Sequence, residues 1–260
     1  MLRTLSVVVL SFLPFAAITA DDKANQAATS PAARFKVLLE EYEEVEQPRE
    51  FAGRFLELAE EHPQDPVAVE ALIWIAGNVR RGAELERALS LLTMDYITDE
   101  RLAALFPELT QKPSLATGKL LREGLEKSPH KGVQAQACVH LAASLREELR
   151  LMRSLVEQPD RRRFEQYYGK EYTAYLASLD EDEVTGEIEG LYKRVIESFG
   201  EVRTDDGTMG EMAEKELFAI RNLSLGKTAP EIEGKDIDEV GFNLSDYRGK
   251  VVVLSFWGHW

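Results

Sequence analysis

Cysteine is almost missing from this chain: Cys138 is the only one in 260 residues. A single thiol makes no internal disulfide, so either the fold is held by packing alone or its working cysteines lie elsewhere. Histidine is also scarce. His62, His130, His140 and His259 are the full set, and no two of them stand at metal-ligand spacing, so no metal or other cofactor is expected. Positive charge is short as well, with 31 Lys+Arg against 46 Asp+Glu and a net charge of −15. Most of such a surface repels a phosphate backbone, which argues against a nucleic-acid partner and for solubility. The one basic run, Arg161-Arg162-Arg163, reads as a solvated helix face. Strand patterning is absent before residue 223.

What is present begins with MLRTLSVVVLSFLPFAAITA. One basic residue, Arg3, precedes an apolar stretch from Leu5 to Ile18, followed by Thr19-Ala20 and the acidic Asp21-Asp22. This is the layout of a secretory signal peptide cleaved after Ala20. The apolar stretch is shorter than a membrane span and contains Pro14, so membrane attachment is expected only where the segment stays uncleaved. No cysteine lies near the cleavage site to carry a lipid. The expected location is therefore exported, in a periplasm or cell envelope. Residues 21–32, small and polar, read as a linker.

From Ala33 to Leu223 almost every segment has helical periodicity with short breaks, a helical domain spanning residues 33–223. Phe51, Phe55, Leu58 and Ala59 share a face, and that helix ends at His62-Pro63. Asp65-Pro66 supply an N-cap and a first-turn proline for the next helix, with Arg80 and Arg81 expected in its last turn before Gly82. Further helices are expected near Ala83 and Asp99, and over 119–127, 133–149, 160–179 and 184–199. Thr208 and Glu211 have capping-box spacing ahead of Ala213, Leu217 and Ile220. The Glu and Asp pairs along these helices are solubilising surface rather than acid–base machinery.

A weak internal repeat runs through this region. FLELAEEHPQDPVAVEALIWIA (55–76) aligns without gaps to LREGLEKSPHKGVQAQACVHLA (121–142). Pro63 meets Pro129, Val67 meets Val133, Ala71 meets Ala137, Ile75 meets Leu141 and Ala76 meets Ala142. Each copy is a helix, a break and a second helix, and such pairs stack into a TPR-like array. The spacing of the copies is irregular, so helical hairpins are expected rather than a regular solenoid. Cys138 falls where the first copy has Leu72, which marks it as a small core residue rather than a redox thiol. Tyr167, Tyr168, Tyr172 and Tyr175 recur at helical spacing and read as packing rather than as a ligand platform.

At Leu225 the helical pattern stops. Glu231 to Gly234 and Phe242-Asn243-Leu244 read as two strands of a hairpin around the turn chemistry of 236–241, and Ser245 to Gly249 as a second turn. Val251 to Trp257 is almost wholly apolar, as in a strand buried on both faces. GKTAPEIEGKD, FNLSDYRGKVVVLSFW and the final WGHW resemble the opening of a thioredoxin-like redoxin domain. The similarity is to the exported thiol–disulfide oxidoreductases of the TlpA/ResA kind, within the alkyl hydroperoxide reductase/thiol-specific antioxidant family. It covers residues 225–260 only, so the expected fold is mainly α, followed by the start of an α/β thioredoxin-like domain over 224–260.

The resemblance implies a function. In that family the strand after the hairpin delivers a Cys-x-x-Cys to a helix N-terminus, where the helix dipole stabilises a thiolate that attacks a disulfide. Pro230, Trp257 and Trp260 match motif-flanking positions, and Trp260 stands where the family has the tryptophan before its first cysteine. No catalytic residue carries over. The chain is thus expected to be a fragment, inactive by itself, of an oxidoreductase acting on protein thiols and disulfides. A peroxiredoxin-type peroxidase is the neighbouring alternative, although Trp-Gly-His-Trp fits a Trp-Cys-x-x-Cys context better. The other alternative is a non-enzymatic module whose helical hairpins hold a protein partner in a groove.

Overall fold

The computed structural model describes residues 30–157, 161–224 and 226–255. The signal segment 1–20 and most of the 21–32 linker lie outside the described residues, as do His259, Trp257 and Trp260. The described part is mainly α: eleven helices and two small two-stranded sheets. It divides into two compact units, one up to Tyr96 and one from Ile97.

The first unit holds four helices: α1 (Pro31–Val45), α2 (Pro48–Glu61), α3 (Pro66–Asn78) and α4 (Ala83–Asp95). Prolines open α1, α2 and α3, where the missing N–H has no intrahelical partner to lose. The Asp65 side chain accepts from the Val67 N–H at 2.9 Å and caps α3 as the sequence suggests, while that of Ser30, within the expected linker, accepts from the Ala33 N–H at 3.2 Å and caps α1. Glu46, at φ 52°, makes the left-handed corner between α1 and α2. Arg80 and Arg81 do not end α3. The chain leaves the helix at Val79, which is buried and extended, so both arginines lie in the connection to Gly82. The core is Phe51, Phe55 and Leu58 of α2 against Leu72 and Ile75 of α3 and Leu85, Leu89 and Leu92 of α4. Trp74 stacks on Phe55 with ring centroids 4.0 Å apart, and Tyr42 of α1 meets Trp74 edge-on at 4.9 Å.

The second unit is built on α7 (Lys131–Glu157), a helix of 27 residues. Against it pack α5 (Leu102–Leu109), α6 (Leu115–Lys127), α9 (Lys170–Ser178) and α10 (Glu181–Arg194). Between α7 and α9 lies α8 (Arg161–Tyr168), with no buried residue. Its three arginines are exposed, as expected of a solvated face. The single helix expected over 160–179 is two helices, because Gly169 at φ 86° breaks it. After α10 a π-helical turn (Val195–Phe199) leads to a two-residue ladder, β1 (Arg203–Thr204) with β2 (Gly207–Thr208). That ladder is a strand pair before residue 223 where none is expected. It is too short for alternation to register in the sequence, and its close turn depends on Gly207 at φ 128°. Thr208 and Glu211 form the capping box of α11 (Met209–Asn222).

The two repeat copies are both helical hairpins, α2–α3 in the first unit and α6–α7 in the second. Their aligned positions are buried alike: Phe55 and Leu121, Val67 and Val133, Ala71 and Ala137, Leu72 and Cys138, Ile75 and Leu141. The similarity in sequence is thus a similarity in which side chains face the partner helix. The copies differ at Leu58 and Gly124. A Cβ at Gly124 would lie 2.9 Å from Cζ of Phe106, so the ring of α5 occupies the space that a side chain fills in the first copy.

The tail carries β3 (Glu233–Lys235) antiparallel to β4 (Gly241–Asn243), with Gly234 opposite Phe242. The Asp236 carboxylate accepts from the N–H groups of Asp238 and Val240, each at 2.9 Å, and closes the turn. A 3-10 turn (Leu244–Tyr247) follows, with its own Asn243–Asp246 capping box. The hairpin matches the expected one to within two residues. The strand expected from Val251 does not form among the described residues. Val251 to Ser255 is unpaired, and Val251 and Val253 are 97% and 88% exposed. The β3–β4 ladder offers this segment no partner, and apolar content by itself makes no ladder.

Two glycines of α6 give a contrasting test. Gly118→Ala, with open space around its Cβ, is expected to stabilise by about 0.5–1 kcal/mol through helix propensity. Gly124→Val is expected to cost roughly 1–3 kcal/mol through overpacking against Phe106. Urea unfolding of both variants checks the pair.

Candidate functional site

Sequence reasoning singles out Pro230, Trp257, Trp260, Cys138 and the tyrosine series. Pro230 is half-buried in the segment before β3, and the two tryptophans lie outside the described residues. Cys138 is 0% exposed, and its thiol is directed at the Leu191 carbonyl oxygen of α10 at 3.4 Å. Burial pushes that thiol up to about 11, so it is a protonated core group at neutral pH and a poor nucleophile. Of the histidines, His140 is half-buried, with Thr110 Oγ1 and Gln136 Oε1 each 3.1 Å from its ring nitrogens. Among the described residues no three His, Cys, Asp or Glu side chains gather as they would around a metal ion.

The feature that the sequence hides is Glu148. It sits on the buried face of α7 and is only 3% exposed. Two tyrosines of α9 converge on its carboxylate: Tyr172 donates to Oε1 at 3.2 Å and Tyr175 to Oε2 at 2.8 Å. Their spacing of three places both on one face of α9, which turns the packing series into a pair of aimed donors. The Tyr172 ring still packs as expected, against Leu151, Leu155 and Leu176. Burial raises the Glu148 carboxyl above its usual range. The Tyr175 and Tyr172 hydrogen bonds, and then the charge of Arg122, pull the other way. Arg122 of α6 is itself committed to Glu187 of α10 through both terminal nitrogens. Among the described residues Glu148 has no lysine or arginine at ion-pair distance.

Glu148 and Tyr175 open onto a cleft of about 320 Å³ walled by α6, α7 and α9. Leu115, Leu141 and Leu145 supply its apolar wall, and Lys119 and Glu123 stand on α6 beside Arg122. An enclosed carboxylate, aromatic donors and an aliphatic wall are the usual makings of a small ligand site. The signal in the sequence was one glutamate on an otherwise apolar stripe (Leu141, Leu145, Glu148, Leu149), which an acidic helix easily conceals.

Comparison with protein-family models, with curated proteins and with solved structures finds no match to this chain.

His140 gives a pH dependence. Burial lowers its pKa from 6.5 to about 4, so the folded chain holds it neutral while the unfolded chain takes up a proton. Stability from this group is fully present above about 6.5 and is lost as pH falls towards 4. His140→Gln, neutral throughout, is expected to lose less stability than the parent chain between pH 7 and pH 5, read as the shift in urea midpoint.

Proposed function

We propose that these 260 residues belong to an exported thiol–disulfide oxidoreductase of the thioredoxin-like redoxin kind, in which a helical, TPR-like region precedes the redox domain. The observation that carries this reading is the tail. The hairpin β3–β4, the capped 3-10 turn and the apolar Val251–Leu254 run follow one another in the order in which such a domain begins. Four exposed apolar residues in a row are costly in water and gain stability when a neighbouring strand or helix covers them.

Cys138 supports the reading from the other side. Its thiol is enclosed and protonated, so none of the described residues serves as the attacking sulfur. The reactive pair is assigned to the residues after Trp260. A thiolate there attacks one sulfur of a substrate disulfide and releases the other as a thiolate. The second cysteine then displaces the substrate from the mixed disulfide, leaving the substrate reduced and the enzyme oxidised. The partners are protein thiols and disulfides in a periplasm or cell envelope. No metal or organic cofactor enters the scheme.

Two measurements test this. The coding sequence is expected to place a cysteine immediately after Trp260, with a second one three residues later; any other residue directly after Trp260 ends the redox reading. The protein expressed from the whole coding sequence is expected to reduce insulin disulfides with dithiothreitol as donor and to keep that activity in Cys138→Ala. Fast peroxide consumption with no insulin reduction would move the assignment to the peroxiredoxin branch.

A further inference from the structure

The geometry points to a second site, independent of the redox reading: we propose that the cleft walled by α6, α7 and α9 binds an organic cation, an ammonium or guanidinium group on an aliphatic stem, with its charged head on Glu148. The carboxylate is the cleft's enclosed polar group, and the two side chains that hydrogen-bond to it, Tyr172 and Tyr175, are neutral donors. Each oxygen thus takes one phenol hydrogen bond and keeps a further lone pair for another donor. Arg122, whose charge reaches Glu148, is engaged by Glu187, and among the described residues no lysine or arginine stands at ion-pair distance from the Glu148 carboxylate. A charge in that position gains most from a cation that arrives already desolvated on one side.

The rest of the lining suits the stem and not an anion. Leu115, Leu141 and Leu145 match the methylenes of a lysine-, arginine- or polyamine-like chain, which packs its stem on apolar surface. The Tyr175 ring adds an aromatic wall, a favourable neighbour for ammonium and guanidinium groups. Lys119 and Arg122 are balanced in number by Glu123 and Glu148, and Lys119 is exposed whereas Glu148 is enclosed, so the field at depth is negative. The net charge of −15 favours the approach of cations over anions.

The same head group arrives either on a free amine or on a basic side chain of a peptide, and calorimetric titration of the full chain separates the two. Agmatine represents the first source, a Gly-Arg-Gly peptide the second, and pentanoate is the anionic control. Saturable binding of agmatine or of the peptide at roughly millimolar concentrations is expected, and none of pentanoate. Glu148→Gln, which keeps the side-chain shape, is expected to weaken binding about tenfold or more. Gly118→Leu, which fills the cleft from a position with free space around its Cβ, is expected to abolish binding with the urea midpoint unchanged or raised. That variant decides the matter if Glu148→Gln fails to fold. Binding of pentanoate as tight as that of agmatine overturns the proposal. So does an affinity untouched by either substitution, or no saturable heat from either cation.

Discussion

The second unit depends on one long buried stripe. Val133, Ala137, Cys138, Leu141, Leu145 and Leu149 recur along α7 at helical spacing, and α5, α6, α9 and α10 all pack on α7. Small residues make this closeness attainable. Ala135, Ala142 and Ser144 are all buried, and Gly124 of α6 admits the Phe106 ring. Each of its larger apolar side chains, Val133, Leu141, Leu145 and Leu149, contributes on the order of 1.5–3 kcal/mol when taken from water. The stripe therefore outweighs the exposed ion pairs between helices, worth about 0.2–1 kcal/mol each.

Those ion pairs follow a pattern of their own. Arg34–Glu61, Arg54–Glu41 and Arg87–Glu60 join helices of the first unit, and Arg194–Glu126, Arg153–Glu181 and Arg221–Glu189 join helices of the second. Each uses arginine. In a chain with a large excess of acid, arginines placed between helices offset the mutual repulsion of their carboxylates, and a planar fork suits a carboxylate better than an ammonium does. Glu148 stands apart from this scheme. Its partners are phenols, its surroundings apolar, and its companion Arg122 is engaged elsewhere. A carboxylate held so in a helix seam costs desolvation, and packing alone gives no reason for it.

The tail obeys a different logic. The β3–β4 hairpin is closed by local hydrogen bonds, with Asp236 holding the turn and Glu231 accepting from Ser245 N–H at 3.0 Å. Such a unit shapes itself but buries little, and Phe242 over Gly234 is its main packing contact. Beyond it the valines remain wet.

Local signals were legible in the residues. Pro66 at a first helical position, the caps at Asp65 and Thr208, the hairpin turn at Asp236 and the core placement of Cys138 all follow from short-range backbone chemistry or from the repeat. The break at Gly169 and the early end of α3 at Val79 were not, because a glycine or a valine within a helical pattern has more than one local outcome. The strand expected from Val251 failed for a stronger reason: a ladder needs a partner, and composition names none. By itself, then, the sequence determined which segments coil into helices and which faces they bury. Only the tertiary structure decided that Tyr172 and Tyr175 aim at Glu148 across an apolar cleft, since that meeting joins residues about one helix length apart in the chain, through the packing of α9 on α7.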